Sequence, residues 1–154
     1  MSLGRLFPAD YARTQIERQL QPGVVVKFMA EMDDGRMHEK RFVVLDVSED
    51  TFTCVINSRI SAFIAKNENK AKCQVQIEAS QHPFMSWDSH VDCSRIRTYS
   101  RTELVDQLCA HPEWILGMTT PELRERIIAA IKISKTIPSA LAAQCCAAFS
   151  ACSQ

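Results

Sequence analysis

The sequence has no net charge: its 154 residues carry 18 lysines and arginines against 18 aspartates and glutamates. Attraction of a polyanion to the molecule as a whole is thereby excluded, and any nucleic-acid binding must come from a local patch. A long apolar run is also missing, since none reaches the roughly 18–20 residues that span a bilayer. Met1-Ser2-Leu3-Gly4-Arg5 lacks the basic-then-apolar layout of a secretory leader. The expectation is a cytoplasmic protein with no membrane partner. Among the seven cysteines, at 54, 73, 93, 109, 145, 146 and 152, no pair has Cys-x-x-Cys spacing, and the number is odd. That argues against the usual zinc and redox motifs and for reduced thiols, with Cys54 and Cys73 as small buried hydrophobes. His82, His90, His111 and the cysteines form no metal set by spacing, so neither a metal nor another cofactor is expected. Internal repeats and linkers are absent too.

What is present is a globular composition, 46% hydrophobic and 23% charged, long enough for one core. The chain reads as a single domain over 1–154. It divides into a helical extension at 1–22, a core at 23–137 and an Ala/Cys-rich tail at 138–154. Pro8, then Tyr11, Ile16 and Leu20 at helical spacing, predict a helix over 8–20 that stops at Pro22-Gly23. Strands are predicted at 23–30, 41–47, 51–56, 73–79 and, as one or two short strands, 89–97, the first three joined by short turns such as Asp33-Asp34-Gly35. Short connections imply an antiparallel meander. Residues 57–71 read as a turn of helix and a solvated loop. From Ser100 onward the pattern is helical. Thr119-Thr120-Pro121-Glu122 starts a helix whose Leu123, Ile127, Ala130, Ile131 and Ser134 share one face. Residues 140–151 read as helical at best and frayed. The fold class is α+β, with helices in the C-terminal half and Ile127 as a core residue.

The densest unusual segment is 92–101, with Arg95, Arg97 and Arg101 and no acid after Asp92. In a strand Arg95 and Arg97 share a face with Ile96 opposite, and two guanidinium groups side by side match phosphate. A solvated strand edge guarded by arginine is the plainer alternative. Trp87 and Phe84 stand in a polar loop, either as core side chains or as stacking platforms for a base.

From Gly23 onward the chain resembles the PemK/MazF-type toxin family, whose members are endoribonucleases of toxin–antitoxin pairs. The resemblance runs over Gly23-Val24-Val25, Lys40-Arg41-Phe42-Val43-Val44-Leu45, Val55-Ile56-Asn57-Ser58, Ser94-Arg95-Ile96-Arg97-Thr98 and Gly117-Met118-Thr119-Thr120. Phe42, Asn57 and Ser94-Arg95 depart from the family pattern, and the acid often found after Arg-Thr is missing. The resemblance implies a small twisted SH3-like barrel covered by C-terminal helices. It also implies metal-independent cleavage of single-stranded RNA, an antitoxin partner and a homodimer. On that basis Arg97 is the cation for the phosphorane charge, and Thr98 and Ser58 donate hydrogen bonds to phosphate. His38 and Glu39 are the acid/base candidates, with His90 as an alternative. Arg95, Arg41, Asn57, Arg101 and Trp87 would bind RNA, and Asp92 could orient an arginine. The alternative function is a catalytically lapsed binding module that contacts a protein or nucleic acid through the same groove.

Overall fold

The computed structural model describes residues 3–151, with side chains from residue 10 onward. The elements run α1 (Leu3–Gln19), β1 (Val24–Glu31), β2 (Met37–Val47), β3 (Asp50–Asn57), α2 (Ala62–Ala65), α3 (Glu68–Lys72) and β4 (Gln74–Ile77). After these come β5 (Ser89–Asp92), β6 (Arg97–Ser100), α4 (Arg101–Ala110), β7 (Ile115–Met118), α5 (Pro121–Ile133) and α6 (Ser139–Ala151). The α+β expectation holds. Residues 1, 2 and 152–154, including Cys152, lie outside the described residues.

All strand pairings are antiparallel, and they join seven strands into one sheet in the order β4-β5-β3-β2-β1-β7. Strand β6 lies off this path and pairs with the first half of β3, from Asp50 to Thr53, while β5 pairs with its last two residues. Among the described residues, β4 and β7 do not pair, so the sheet is open. The meander of β1, β2 and β3 is as the sequence predicts, and Gly35 supplies the positive φ, 75°, in the first turn. Of the one or two short strands expected over 89–97, the structure forms two, β5 and β6. Asp92 Oδ1 accepts from the Ser94 backbone N–H at 3.1 Å and from Ser94 Oγ at 2.6 Å, a local turn that competes with continued pairing.

Both faces of the sheet are buried. Alternate residues of β2 feed opposite cores: Val43 and Leu45 face α5 and α6 with Leu123, Ile127 and Phe149, while Phe42 and Val44 face α1 and α4 with Ile16, Leu20 and Leu108. This is why residues 42–45 form a continuous apolar run rather than an alternation. In the second core Phe28 stacks on Phe42 at 4.2 Å, and Tyr99 meets Phe28 edge-on at 5.0 Å.

Helix α5 starts as the sequence predicts. Thr120 Oγ1 accepts from Leu123 N–H at 3.2 Å, Pro121 occupies the first turn, and Leu123, Ile127, Ala130 and Ile131 are buried. Helix α6 is ordered rather than frayed, because Cys145, Cys146 and Phe149 seat it on the first core. Burial pushes the Cys145 thiol up to about 12, so it behaves as a hydrophobe. Residues 57–71 hold two short capped helices, α2 behind Ser61 and α3 behind Asn67, in place of one turn and a loop. Among the described residues no helix is long and apolar enough to cross a membrane.

Candidate nucleic-acid interface

Strand register decides which charged side chains meet. Lys27 of β1 lies opposite Arg41 of β2, and Arg41 lies opposite Ile56 of β3. By alternation Glu39 and Arg41 share the side of Val43, while His38 and Lys40 share that of Phe42. Past the edge of the first core these residues open a cleft of about 220 Å³. Lys27, Glu39, Arg41, Ser58 and Trp87 line it, together with Lys40. Lys27 Nζ is 3.3 Å from Glu39 Oε1. Arg41 Nε is buried with no hydrogen-bond partner, and Trp87 is 57% exposed, so Trp87 is not a core residue. Phe84, by contrast, packs against the first core.

A second cleft, of about 400 Å³, includes Asp33, Phe63, Asp92, Arg95 and Arg97 in its lining. The Arg95 Nη1–H group donates to Asp33 Oδ1 at 2.8 Å and Arg97 Nη2–H donates to Asp33 Oδ2 at 3.3 Å. Arg97 starts β6 and Arg95 precedes it, yet the expected pairing of their guanidinium groups holds, and Ile96 turns into the first core. The Asp33 carboxyl is held below its usual range, chiefly by the hydrogen bond from Arg95 and further by the Arg97 charge, against the opposing effect of burial. Lys40 links the two clefts. Its Nζ–H donates to Asn57 Oδ1 at 2.9 Å, and burial, aided by the Arg97 charge, pushes its ammonium down.

The remaining candidates lie elsewhere. His38 Nε2 is 2.7 Å from Asp34 Oδ2 on the β1–β2 hairpin and lines neither cleft. Thr98 is exposed and alternates to the other side of β6 from Arg97. Arg101 opens α4, and its Nη2 lies 3.6 Å from Glu17 Oε2 of α1. His90 lies opposite Asn57 in the sheet, half-buried. Asp92 is engaged by Ser94 and by Gln74 Nε2 at 2.8 Å rather than by an arginine. Glu39, Arg41, Ser58 and Trp87 thus share one cleft, Arg95 and Arg97 another, and Asn57 touches the bridge between them.

Three participants were not singled out from the sequence. Lys27 is the lone charge in the run 23–30, a signal that could have been used, because a cation inside a buried strand must emerge somewhere. Lys40 neighbours Arg41. In the sequence Asp33 is indistinguishable from ordinary turn chemistry. Among the described residues, no group of three His, Cys, Asp or Glu converges where it could hold a metal ion. As arranged, the clefts present guanidinium and ammonium donors to an oxyanion, with an indole beside one of them. Compared with known protein families and with curated proteins, the chain matches none.

Proposed function

We propose that this chain is a binding module for single-stranded RNA, of PemK/MazF-like kind, that grips the phosphate backbone at the first cleft and stacks a base on Trp87. The observation that carries this reading is the meeting of an exposed indole with Lys27, Lys40 and an Arg41 whose Nε is buried and unpaired. A buried unpaired donor favours an acceptor brought by a ligand, and an anionic acceptor most of all. The indole adds a sequence-tolerant contact worth about 1–3 kcal/mol per base. A protein with no net charge then binds through a local field alone, so its affinity depends on few phosphates. Kinship to the SH3-like barrel family is part of the same reading. The antiparallel run β1–β2–β3 and the segments from Gly23 to Thr120 support it, while the sheet among the described residues is open rather than closed into a barrel.

The test is titration with a short single-stranded RNA, monitored by quenching of Trp87 fluorescence at several salt concentrations. Removing one phosphate-binding cation should flatten the log–log salt slope by about 0.7. Arg41→Gln is expected to reduce that slope, and Trp87→Ala to weaken binding while leaving the slope unchanged; for the latter, binding is read by calorimetry. Equal affinity of parent, Arg41→Gln and Trp87→Ala would remove the reading.

A second reading, the metal-independent endoribonuclease, is favoured by one observation: the Arg97 side chain is only 10% exposed, a preorganised guanidinium close to the Lys40 bridge. Under it Arg97 stabilises the charge that grows on the phosphate as the 2′-oxygen attacks, and the antitoxin partner and homodimer follow from the family resemblance. Losing one such donor costs about 100- to 1000-fold in rate. Cleavage of single-stranded RNA without metal by the parent, abolished in Arg97→Ala, would establish it. Binding without cleavage would leave the module.

A further inference from the structure

Arg97 presents an imbalance. Its side chain is 10% exposed, while the carboxylate that meets it, Asp33, is 69% exposed and comes from a turn 64 residues away in sequence. Asp33 gives one oxygen to each arginine, at 2.8 Å to Arg95 and 3.3 Å to Arg97. Arg97 Nε is left buried with no hydrogen-bond partner. As placed, the carboxylate spans the two guanidinium groups and leaves that third donor unserved. A tetrahedral phosphate has the oxygens to serve it, with one toward Arg95 and two along the Nη2–Nε edge of Arg97.

We propose that the Arg95–Arg97 fork is a phosphate site that the chain's own Asp33 carboxylate keeps occupied, so that Asp33 competes with an incoming ligand for the two arginines. The chemistry of the surroundings favours an anion. Lys40 places a further positive charge near Arg97, and Lys70 is among the residues that line the cleft. The other carboxylate in the lining, Asp92, accepts at its Oδ1 from Ser94 and Gln74. Asp33 can leave without unfolding anything. The hairpin is closed by its own backbone, Met32 N–H to Arg36 O at 2.9 Å and Gly35 N–H to Met32 O at 2.9 Å, so rotation of one exposed side chain opens the fork. The identity of the ligand as RNA rests on the proposed function above; the oxyanion chemistry of the fork does not. A chain that binds RNA at the first cleft would then extend its grip to the second only with ligands able to displace Asp33, which sets a threshold on affinity.

The experiment is calorimetric titration of the full chain with inorganic phosphate and, separately, with a short single-stranded RNA. It compares the parent, Asp33→Asn, Asp33→Ser, Asp33→Asn/Arg97→Gln, and Asp106→Asn as a control for the same charge change far from the cleft. Removal of the competing ion pair should tighten phosphate binding by about three- to fivefold in Asp33→Asn. Asp33→Ser gives the same gain if the amide disturbs the turn. Asp106→Asn should match the parent, and the gain should vanish when Arg97 is also replaced. No gain in either Asp33 variant, or a gain that survives loss of Arg97, would overturn the proposal. A phosphate gain with no RNA bound by any variant leaves the fork intact and removes the RNA reading. RNA bound equally by parent and Asp33→Asn, with phosphate unchanged, removes the fork and leaves the RNA reading.

Discussion

Gly117 lies in β7, where a Cβ built on its backbone would stand 2.6 Å from Phe84 Cδ1. Only a residue without a side chain lets the Phe84 ring close over the strand, and that ring packs in turn against His82 and the first core. His82 is held on both nitrogens: Nδ1–H donates to Glu78 O at 3.0 Å, and Nε2 accepts from Thr120 N–H at 3.2 Å. The ring that Gly117 accommodates therefore sits beside the residue that fixes the start of α5. Gly117→Ala is expected to cost about 1–3 kcal/mol through overpacking. Chemical denaturation measures the cost, and the origin can be checked by coupling. If the clash with Phe84 is the cause, Phe84→Leu made in the Gly117→Ala background should return part of the loss, whereas two additive losses would mean the strain lies elsewhere.

At the scale of elements, α5 carries the clearest test, because Ile127 is fully buried between the sheet and α6. Ile127→Ala should cost about 2–5 kcal/mol, read from the shift of the denaturation midpoint. A cost under about 1 kcal/mol would mean that α5 does not pack as described. This helix was legible in the sequence because its cap, its proline and its apolar spacing all agree. Helix α6 was legible only as a frayed helix, because Ala and Cys carry little periodic signal and the residues that seat it, Cys145, Cys146 and Phe149, form no long apolar stripe. The run 41–47 was legible as a strand, yet the unbroken apolar stretch at 42–45 within it meant burial on both faces, which strand propensity alone does not show. For the site, the spacing of Arg95 and Arg97 foretold their pairing. The carboxylate that joins them was hidden, because Asp33 is 62 residues from Arg95 and its identity is also that of an ordinary turn residue. Lys27 and Arg41 face each other only through register, which a sequence pattern does not specify until the turn between the strands is fixed.

The whole molecule is a sheet shared by two cores, and sharing has a thermodynamic consequence. Phe42 and Val44 belong to one core and Val43 and Leu45 to the other, so neither can melt without releasing the strand that supports its counterpart. The edge is tied in as well: the Gln107 side chain of α4 donates to Met29 O at 3.0 Å and accepts from Met29 N–H at 2.9 Å, closing the part of β1 that lies beyond β7. Helix α1 joins the second core through Ile16, with Leu20 just past its end, and Arg13 adds an ion pair to Asp106 of α4 at 2.8 Å. Unfolding should therefore be a single cooperative transition. Two probes sample different parts of it. Far-ultraviolet circular dichroism reports all helices, whereas Trp114, packed against the second core and stacked on His111 at 4.0 Å, reports the end nearest α4 and β1. In a Trp87→Phe background, where fluorescence comes from Trp114 alone, the two signals should give the same midpoint and the same slope in denaturant. Leu108→Ala in the second core and Ile127→Ala in the first should each move both signals together. If Leu108→Ala moved the fluorescence midpoint and left the dichroism midpoint in place, the sheet would not couple its two faces, and the layers would have to be treated as separate folding units.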